Sequence, residues 1–252
     1  MPDWIAAFLC SWLGLCGAPE GGGDHGPGCR ETVFEGLGHV VCSFDVAAVR
    51  IATRLDRPDG TKLATLSALE DTLPEPPLMA MNAGMYHDDL DPVGLYIEGG
   101  RRRTPLSTKG GWGNFHLLPN GVFWGRGGQV GVSETNAFAR RFGREGKGLD
   151  FATQSGPMLV IGGRLHPRFL ADSDSRKIRN GVGVSRDGRR VHFVQSKRAV
   201  TFHHFGRLFR DALATPDALF LDGTVSSVRA PGVRREGWKP LGPMITVTPR
   251  PR

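Results

Sequence analysis

Ala218-Leu-Phe-Leu-Asp-Gly-Thr-Val-Ser-Ser227 is the most informative stretch of the chain, because in it an apolar run stops abruptly at an acidic residue. The run predicts a buried strand, and Asp222-Gly223 predicts a tight turn at its end. A strand would hold the Asp222 carboxylate rigidly, and the glycine would let backbone approach a ligand. Ser226 and Ser227 add two hydroxyl groups. The segment is a candidate site, with an ordinary strand and turn as the alternative.

Strand-like runs recur at short intervals on both sides of this stretch, and the 36 Gly and 18 Pro favour many turns between them. Hairpins are predicted at Asn120-Gly121, between strands Phe115–Leu118 and Val122–Trp124, and at Asp187-Gly188. Further hairpin turns are predicted at Gly99-Gly100 and Gly162-Gly163, and helical patterns are confined to Leu66–Leu73, Ala137–Phe142 and Phe202–Leu213. The sequence therefore predicts an α+β fold: a single domain with a largely antiparallel or mixed sheet, many hairpins and few helices.

The start of the chain is typical of an exported protein. An apolar segment followed by small residues predicts a signal peptide over residues 1–18, with a buried N-terminal helix as the alternative. Residues 19–28 are rich in glycine and predict a flexible linker, which leaves one folded domain over residues 29–249. The expected location is periplasmic or secreted, and contact with a membrane is expected only through the leader.

Cysteines occur only in the first 42 residues, and removal of the leader would leave Cys29 and Cys42. Two predicted strands around a glycine turn separate these two residues, so their sulfur atoms would lie within bridging range. We predict a disulfide, which would persist in an oxidising compartment, with two unrelated buried thiols as the alternative.

Composition narrows the classes of partner. The 32 Lys and Arg exceed the 25 Asp and Glu, but the charge is spread along the chain without a dense basic tract. We therefore expect no nucleic-acid partner. No Cys/His spacing matches a zinc site, so neither a metal nor a cofactor is expected, although a weak calcium site at Asp88, Asp89 and Asp91 stays open. The sequence does not determine the oligomeric state.

Several other segments carry polar groups beside glycine or at the end of a predicted strand. Arg179 and Asn180 precede a glycine-flanked strand, where a guanidinium group on a rigid base suits a phosphate. Ser155-Gly156 precedes another strand and could form a backbone cradle for an anion. The remaining candidates are Asn82 and Gly84, at the end of a buried strand, and His116, for which a structural role is the alternative.

These segments, taken in order, resemble the phosphodiester glycosidase family, which includes the uncovering enzyme of mannose-6-phosphate. The shared motifs are Asn82-Ala-Gly-Met-Tyr86, Gln154-Ser-Gly-Pro-Met-Leu-Val160, Arg179-Asn-Gly-Val-Gly183 and Leu221-Asp-Gly-Thr-Val-Ser-Ser227. Four further motifs resemble the bacterial branch of the family, which was long described as a domain of unknown function. They are Pro92-Val-Gly-Leu-Tyr-Ile-Glu98, Gly113-Asn-Phe-His-Leu117, Pro119-Asn-Gly-Val-Phe-Trp124 and Leu241-Gly-Pro-Met244. The resemblance covers roughly Cys29 to Thr248.

The resemblance implies hydrolysis of a sugar-1-phosphodiester at the anomeric carbon, with a phosphorylated or phosphodiester-linked carbohydrate as partner. On this interpretation Arg179 clamps the phosphate and Asp222 acts at the sugar, with Glu98 as a weaker second carboxylate. The expected substrate-binding residues are Asn82, Gly84, His116, Ser155, Gly156, Asn180, Gly223, Ser226 and Ser227.

One position departs from the family pattern, because Thr224 stands where a second glycine is common. A left-handed backbone there would strain the loop around a β-branched residue. Two other interpretations stay open: a non-catalytic module that binds anionic envelope glycans, and a metal-dependent phosphodiesterase that cleaves the P–O bond.

Overall fold

The computed structural model describes residues 28–251, which form three antiparallel sheets and three short α-helices. The strands are β1 (Gly28–Phe34), β2 (Leu37–Asp45), β3 (Val49–Arg54), β4 (Met79–Asn82), β5 (Tyr96–Glu98), β6 (Arg101–Thr104), β7 (Gly121–Arg126), β8 (Gln129–Glu134), β9 (Phe151–Ser155), β10 (Met158–Ile161), β11 (Arg164–Leu165), β12 (Asn180–Val184), β13 (Arg190–Ser196), β14 (Asp217–Phe220), β15 (Val228–Ala230), β16 (Val233–Arg235) and β17 (Met244–Pro249). The helices are α1 (Leu66–Glu70), α2 (Thr135–Phe142) and α3 (Phe202–Arg207).

The largest sheet has seven strands in the order β1-β2-β13-β12-β14-β10-β11. Its middle strands are buried on both faces, since all five residues of β12 are inaccessible. One face packs on the main core, which contains Phe123, Phe193 and Leu219. The other face packs on α3 and the π-helical turn Leu208–Ala212 that follows it, through Phe205 and Phe209. Burial on both faces leaves the ends of these strands as the places where polar side chains can reach solvent.

The two smaller sheets have five strands each, in the orders β16-β15-β4-β17-β3 and β6-β5-β9-β7-β8. In the first, the register places Asn82 of β4 opposite Met244 of β17, and Met244 opposite Arg54 of β3. Strand β3 is therefore an edge strand. In the second, α2 packs on β7 through Phe138 and Phe142.

The predicted fold class is confirmed: all described strand pairs are antiparallel, and helices are few. Three of the four predicted hairpin turns are confirmed, at Gly99-Gly100, Gly162-Gly163 and Asp187-Gly188. The strands form three sheets, whereas the sequence predicts one.

The hairpin predicted at Asn120-Gly121 is wrong. Phe115–Leu118 is not a strand, because residues Asn114–His116 form a 3₁₀ turn. Asn120 is buried, donates its amide to Phe115 O over 3.0 Å and accepts from the Thr135 hydroxyl over 2.6 Å. These bonds tie the residue into the interior, so it does not form an exposed turn.

The predicted disulfide is confirmed, because Cys29 and Cys42 are paired across β1 and β2 and bridged. The bridge fastens an edge strand to its neighbour, which is worth about 3 kcal/mol in the chain-entropy model. The predicted signal peptide and nearly all of the predicted linker lie outside the described residues. Gly28, assigned to the linker, is the first residue of β1.

Candidate functional site

Three strands have one of their ends at the same place, and a polar residue lies at or next to each of these ends. Asn82 ends β4, Asn180 begins β12, and Asp222 follows β14 after Leu221. Asn180 donates its side-chain amide to Asn82 Oδ1 over 2.7 Å and accepts from the Asp222 backbone amide over 2.8 Å. Asn82 in turn lies 3.4 Å from the Asp222 carbonyl oxygen. The two asparagines thus fix the backbone on which the Asp222 carboxylate stands.

Ser226 and Ser227, which end the stretch Ala218–Ser227, belong to the same hydrogen-bond network. The Ser227 backbone amide donates to Asn82 Oδ1 over 2.9 Å. Gln195, on β13, donates its side-chain amide to both the carbonyl and the hydroxyl oxygen of Ser226, at 2.9 and 3.0 Å. Arg235 donates to Gln195 Oε1 over 3.0 Å and so orients that amide. The segment after Asp222 is therefore held in one conformation by buried partners.

The Asp222 carboxylate is half-buried, and burial raises its pKa to about 6. The backbone amides of Thr224 and Val225 and the charge of Lys239 oppose this shift. Tyr86 is also close: burial raises the pKa of its phenol to about 12, and the Asp222 charge adds to the effect. A carboxylate that titrates near neutral pH beside a phenol and an ammonium group is suited to chemistry.

Glycine is required directly after Asp222, since a Cβ on Gly223 would lie 2.2 Å from Ile178 O. The next position has no such requirement. Thr224 is not among the described residues with left-handed backbone, and its side chain is exposed. The threonine therefore causes no backbone strain in the turn. The fold accommodates Thr224 at the position where the family commonly has a second glycine.

Arg179 precedes Asn180 and is almost completely buried, with 1% of its surface exposed. Its Nε donates to Val200 O over 2.9 Å and its Nη2 to Ser175 O over 3.1 Å. The guanidinium carbon lies 3.4 Å from the ring centre of Phe202. Burial lowers its pKa to about 10, so the group stays charged. Within residues 28–251 no carboxylate pairs with it.

The segments that contain Gly84 and Ser155-Gly156 pack against the strand ends of this network. The Ser155 hydroxyl donates to the Leu221 carbonyl oxygen over 2.5 Å. Gly84 donates to the Thr153 hydroxyl over 3.1 Å, and a Cβ there would lie 2.4 Å from Gln154 O. Gly156 packs so closely on Asn120 that a Cβ would lie 2.6 Å from that side chain. Ser155 and Gly84 thus join β9 to the strand ends that carry Asp222 and Asn82.

Two predicted site residues have different neighbours. Glu98 accepts from the Tyr96 hydroxyl over 2.7 Å and lies 3.9 Å from Arg54, and burial raises the pKa of its carboxyl. His116 lies in the 3₁₀ turn, where its Nδ1 is 3.0 Å from Lys109 O. Neither residue has a described contact with Asn82, Asn180 or Asp222. Their assigned roles stay predictions, as do those of the other site residues.

Sequence reasoning missed three neighbours of the site: Tyr86, Gln195 and Lys239. Tyr86 is the last residue of a motif that we singled out only for Asn82 and Gly84. Gln195 lies near the end of β13, and sequence does not reveal which residue a side chain meets across a sheet. Lys239 lies in Gly237-Trp-Lys-Pro240, and the sequence signal for this loop was a tryptophan between turn formers. In the structure Trp238 is 89% exposed.

Hydrogen bonds hold the loop that carries Lys239 at both ends. The Gly237 amide donates to the Ser227 hydroxyl over 2.9 Å, and the Tyr86 hydroxyl donates to Pro240 O over 2.6 Å. Lys239 Nζ lies 5.4 Å from the ring centre of Trp238. The loop therefore forms a fixed rim beside Asp222.

Neither a metal cluster nor a membrane helix emerges from the part of the chain that the structure describes. In residues 28–251 no three His, Cys, Asp or Glu side chains are grouped to hold a metal ion. Of the acidic turn, Asp91 pairs with Lys62 and Arg103. No helix in the same residues has the length and apolar character needed to cross a bilayer.

Comparison with solved structures identifies the fold. The catalytic domain of zebrafish N-acetylglucosamine-1-phosphodiester alpha-N-acetylglucosaminidase, auto-inhibited by its pro-peptide, aligns with a TM-score of 0.61 at 12% identity. The alignment covers 88% of this chain and 82% of that one. A protein of Burkholderia pseudomallei described as exported aligns with a TM-score of 0.53 at 12% identity, over 84% of this chain and 74% of that one.

Comparison of sequences gives a nearer relative and the family. The uncharacterised Escherichia coli protein YigE is 40% identical over 154 residues, which is 61% of this chain. The match spans 58% of the length of YigE. The family model described as phosphodiester glycosidase matches residues 77–240, which include Asn82, Arg179 and Asp222. Since that match covers well over half of the sequence, the chain belongs to the phosphodiester glycosidase family.

Proposed function

We propose that the protein hydrolyses a sugar-1-phosphodiester at the anomeric carbon, with Arg179 binding the phosphate and Asp222 acting at the sugar. Family membership and the fold shared with the zebrafish enzyme support this reaction class. The observation that carries the proposal is the environment of Arg179: a buried cation without a carboxylate partner, in the residue next to Asn180.

A buried charge without a counter-ion is costly, so proteins rarely keep one without a use for it. Arg179 uses Nε and one Nη2 hydrogen on backbone carbonyl oxygens, and within the described residues Nη1 has no acceptor. A phosphate would supply both the missing charge and the missing acceptors. The cost of desolvating the guanidinium group would then be recovered when substrate binds.

Asp222 would act on the carbon side of the scissile bond. The C1–O bond breaks, its electron pair leaves with the phosphate monoester, and a water oxygen finally bonds to C1. A phosphate monoester leaves readily, so the main demand is to stabilise positive charge at the sugar. An ionised Asp222 can do this as nucleophile, base or electrostatic partner. Its pKa of about 6 means that it is ionised at neutral pH.

The remaining groups would position the substrate. Asn82 and Asn180 fix the Asp222 backbone, and the Ser226 hydroxyl can bind a sugar hydroxyl. Lys239 is an exposed cation beside Asp222, so it can attract the phosphodiester to the rim. The exposed Trp238 ring on the same rim offers a flat apolar surface to a sugar face.

We further propose that the protein is exported, to the periplasm or beyond the cell. The Cys29–Cys42 disulfide supports this, because disulfides persist in oxidising compartments. The structural relative from Burkholderia pseudomallei is described as exported, in agreement with this location.

The decisive experiment is hydrolysis of a panel of sugar-1-phosphodiesters in water enriched in heavy oxygen, followed by mass spectrometry of both products. Label in the sugar is the expected result and shows C1–O cleavage. Label in the phosphate would instead establish cleavage of the P–O bond. Binding without turnover of any member would favour a module that only binds anionic envelope glycans. Folded Asp222→Asn protein is the control, and it should release labelled sugar several orders of magnitude more slowly.

A further inference from the structure

One cleft of the described molecule is lined by no residue of the Asp222 network. It has a volume of about 450 Å³, and arginines from three different segments line it: Arg50 and Arg54 of β3, Arg126 at the end of β7, and Arg250 just after β17. Nothing in the proposed hydrolysis uses these residues. The cleft therefore needs an explanation of its own.

The arginines are poorly neutralised. Arg50, Arg126 and Arg250 form no ion pair with a carboxylate of residues 28–251, and Arg54 has Glu98 only at 3.9 Å. Asp150 is the one acid that lines the cleft, so a single carboxylate faces four arginines there. Like charges that converge on a concave surface raise the local positive potential and attract anions.

The floor of the cleft is elongated, because it follows the edge strand β3. Arg50, Ala52 and Arg54 alternate with the buried Val49, Ile51 and Thr53, so these three side chains share the outer face. The two arginines lie about 13 Å apart along the strand at the usual rise per residue. The small Ala52 between them leaves room for a ligand, and this spacing suits a chain with repeated charges better than a single ion.

The Gly127-Gly128 hairpin turn and Arg250, which follows β17 next to the start of β3, complete the lining of the cleft. Arg126 closes β7 before the Gly127-Gly128 turn, and the Arg250 guanidinium lies 3.1 Å from the position that a Cβ on Gly128 would occupy. Arg250 also reaches the carbonyl oxygens of Val46 and Val49, at 3.5 and 3.4 Å. These contacts hold the exposed Arg250 between the start of β3 and the turn that follows Arg126.

We propose that this cleft binds a linear anionic polysaccharide, with the arginines on acidic groups of successive sugars. A single-stranded nucleic acid fits less well, because such ligands need exposed aromatic rings for base stacking. The only aromatic residue that lines the cleft is Phe151, which is buried at 3% exposure. Gln129 and the backbone of Gly99 and Gly100 add polar groups for hydroxyls.

The test measures binding of dextran sulfate to the full chain by calorimetry over a series of salt concentrations, with neutral dextran as reference. We expect Arg126→Gln/Arg250→Gln to weaken dextran sulfate binding roughly tenfold and to flatten the salt dependence. The matched control is Arg164→Gln/Arg198→Gln, which removes the same charge from exposed positions outside the cleft. It should bind within about twofold of the wild type.

Three results would overturn the proposal. Equal losses in the two double variants would mean that net charge alone attracts the polymer. Unchanged binding by the cleft variant, together with lower solubility, would mean that the arginines only protect the β3 edge from pairing with other chains. Tighter binding of an oligothymidylate than of dextran sulfate would assign the cleft to nucleic acid. The measurement needs no turnover, so it is independent of the Asp222 reaction.

Discussion

Asn180 donates its side-chain amide to Asn82 Oδ1 over 2.7 Å, which joins two strand ends that are 98 residues apart in the chain. The same Asn82 oxygen accepts from the Ser227 amide, and Asn180 Oδ1 accepts from Asp222 N. Both asparagines are buried. Two amide side chains thereby bring three segments together around one carboxylate, and the site depends on their being satisfied.

Asn82→Ala should destabilise the protein by about 2–4 kcal/mol, because it leaves the Asn180 amide and the Ser227 N–H buried without an acceptor. Urea unfolding followed by fluorescence measures the loss. Asn136→Ala, at an exposed position on α2, is the control and should change stability by less than about 0.5 kcal/mol. A similar small loss in Asn82→Ala would show that the network does not hold the site.

The pH profile of the reaction should report Asp222. Its carboxyl must be ionised to stabilise a sugar cation, and burial raises its pKa to about 6. We expect kcat/KM of the wild type to fall below about pH 6 with a slope of one proton. Asp222→Asn should lower kcat by several orders of magnitude and leave no acid limb in any residual rate. An acid limb near the ordinary carboxyl pKa would instead point to a solvated group elsewhere.

Ionisation of Asp222 should lower the stability of the fold, although it raises the rate of the reaction. Because the pKa of Asp222 is higher in the folded protein than in the unfolded chain, the fold loses stability as pH rises through the interval from about 4 to about 6. Ionised Asp222 costs the fold up to about 3 kcal/mol at neutral pH. Asp222→Asn should therefore raise Tm at neutral pH and change it little near pH 4. A lower Tm at neutral pH would mean that the carboxylate only holds the turn.

Arg179→Lys tests whether the buried cation serves an anion. Lysine keeps the charge but cannot reproduce the donors to Val200 O and Ser175 O together with a fork on phosphate. We expect inorganic phosphate to raise the Tm of the wild type and to have little effect on the variant. Arg168→Lys, at an exposed arginine, is the control. An equal response to phosphate in wild type and Arg179→Lys would place the anion elsewhere.

The strands that carry the site were predictable, because Leu78–Asn82, Val182–Ser185 and Ala218–Leu221 are apolar runs bounded by turn formers. Their meeting point was not, since the Asn82–Asn180 bond depends on strand pairing between distant segments. Asn120 shows the limit more sharply: Asn-Gly is a strong local turn signal, yet two buried hydrogen bonds override it. The partners of a polar side chain in the interior are set by tertiary packing, which local sequence does not encode.

Removal of the disulfide should weaken the fold without affecting the site. Cys29→Ser/Cys42→Ser opens the bridge between β1 and β2, at the edge of the large sheet that lies beyond β13. We expect a loss of about 3 kcal/mol in unfolding free energy and unchanged kcat/KM for the folded fraction. Intact mass of wild-type protein before and after reduction checks that the bridge forms. Free thiols at both positions in exported protein would contradict it.

Lys239→Gln separates two roles of the rim cation. The Lys239 charge lowers the pKa of Asp222, so its removal should move the acid limb upward at low salt. Salt screens an exposed charge, so the difference should shrink in high salt.

If Lys239 acts only through its electric field, kcat/KM on the plateau above the acid limb stays at the wild-type level. If it also contacts the phosphate, the plateau falls and KM rises. Lys147→Gln, at an exposed lysine without a described effect on Asp222, should reproduce the wild-type profile. An acid limb in Lys239→Gln that coincides with this control would show that Lys239 does not act on the carboxylate.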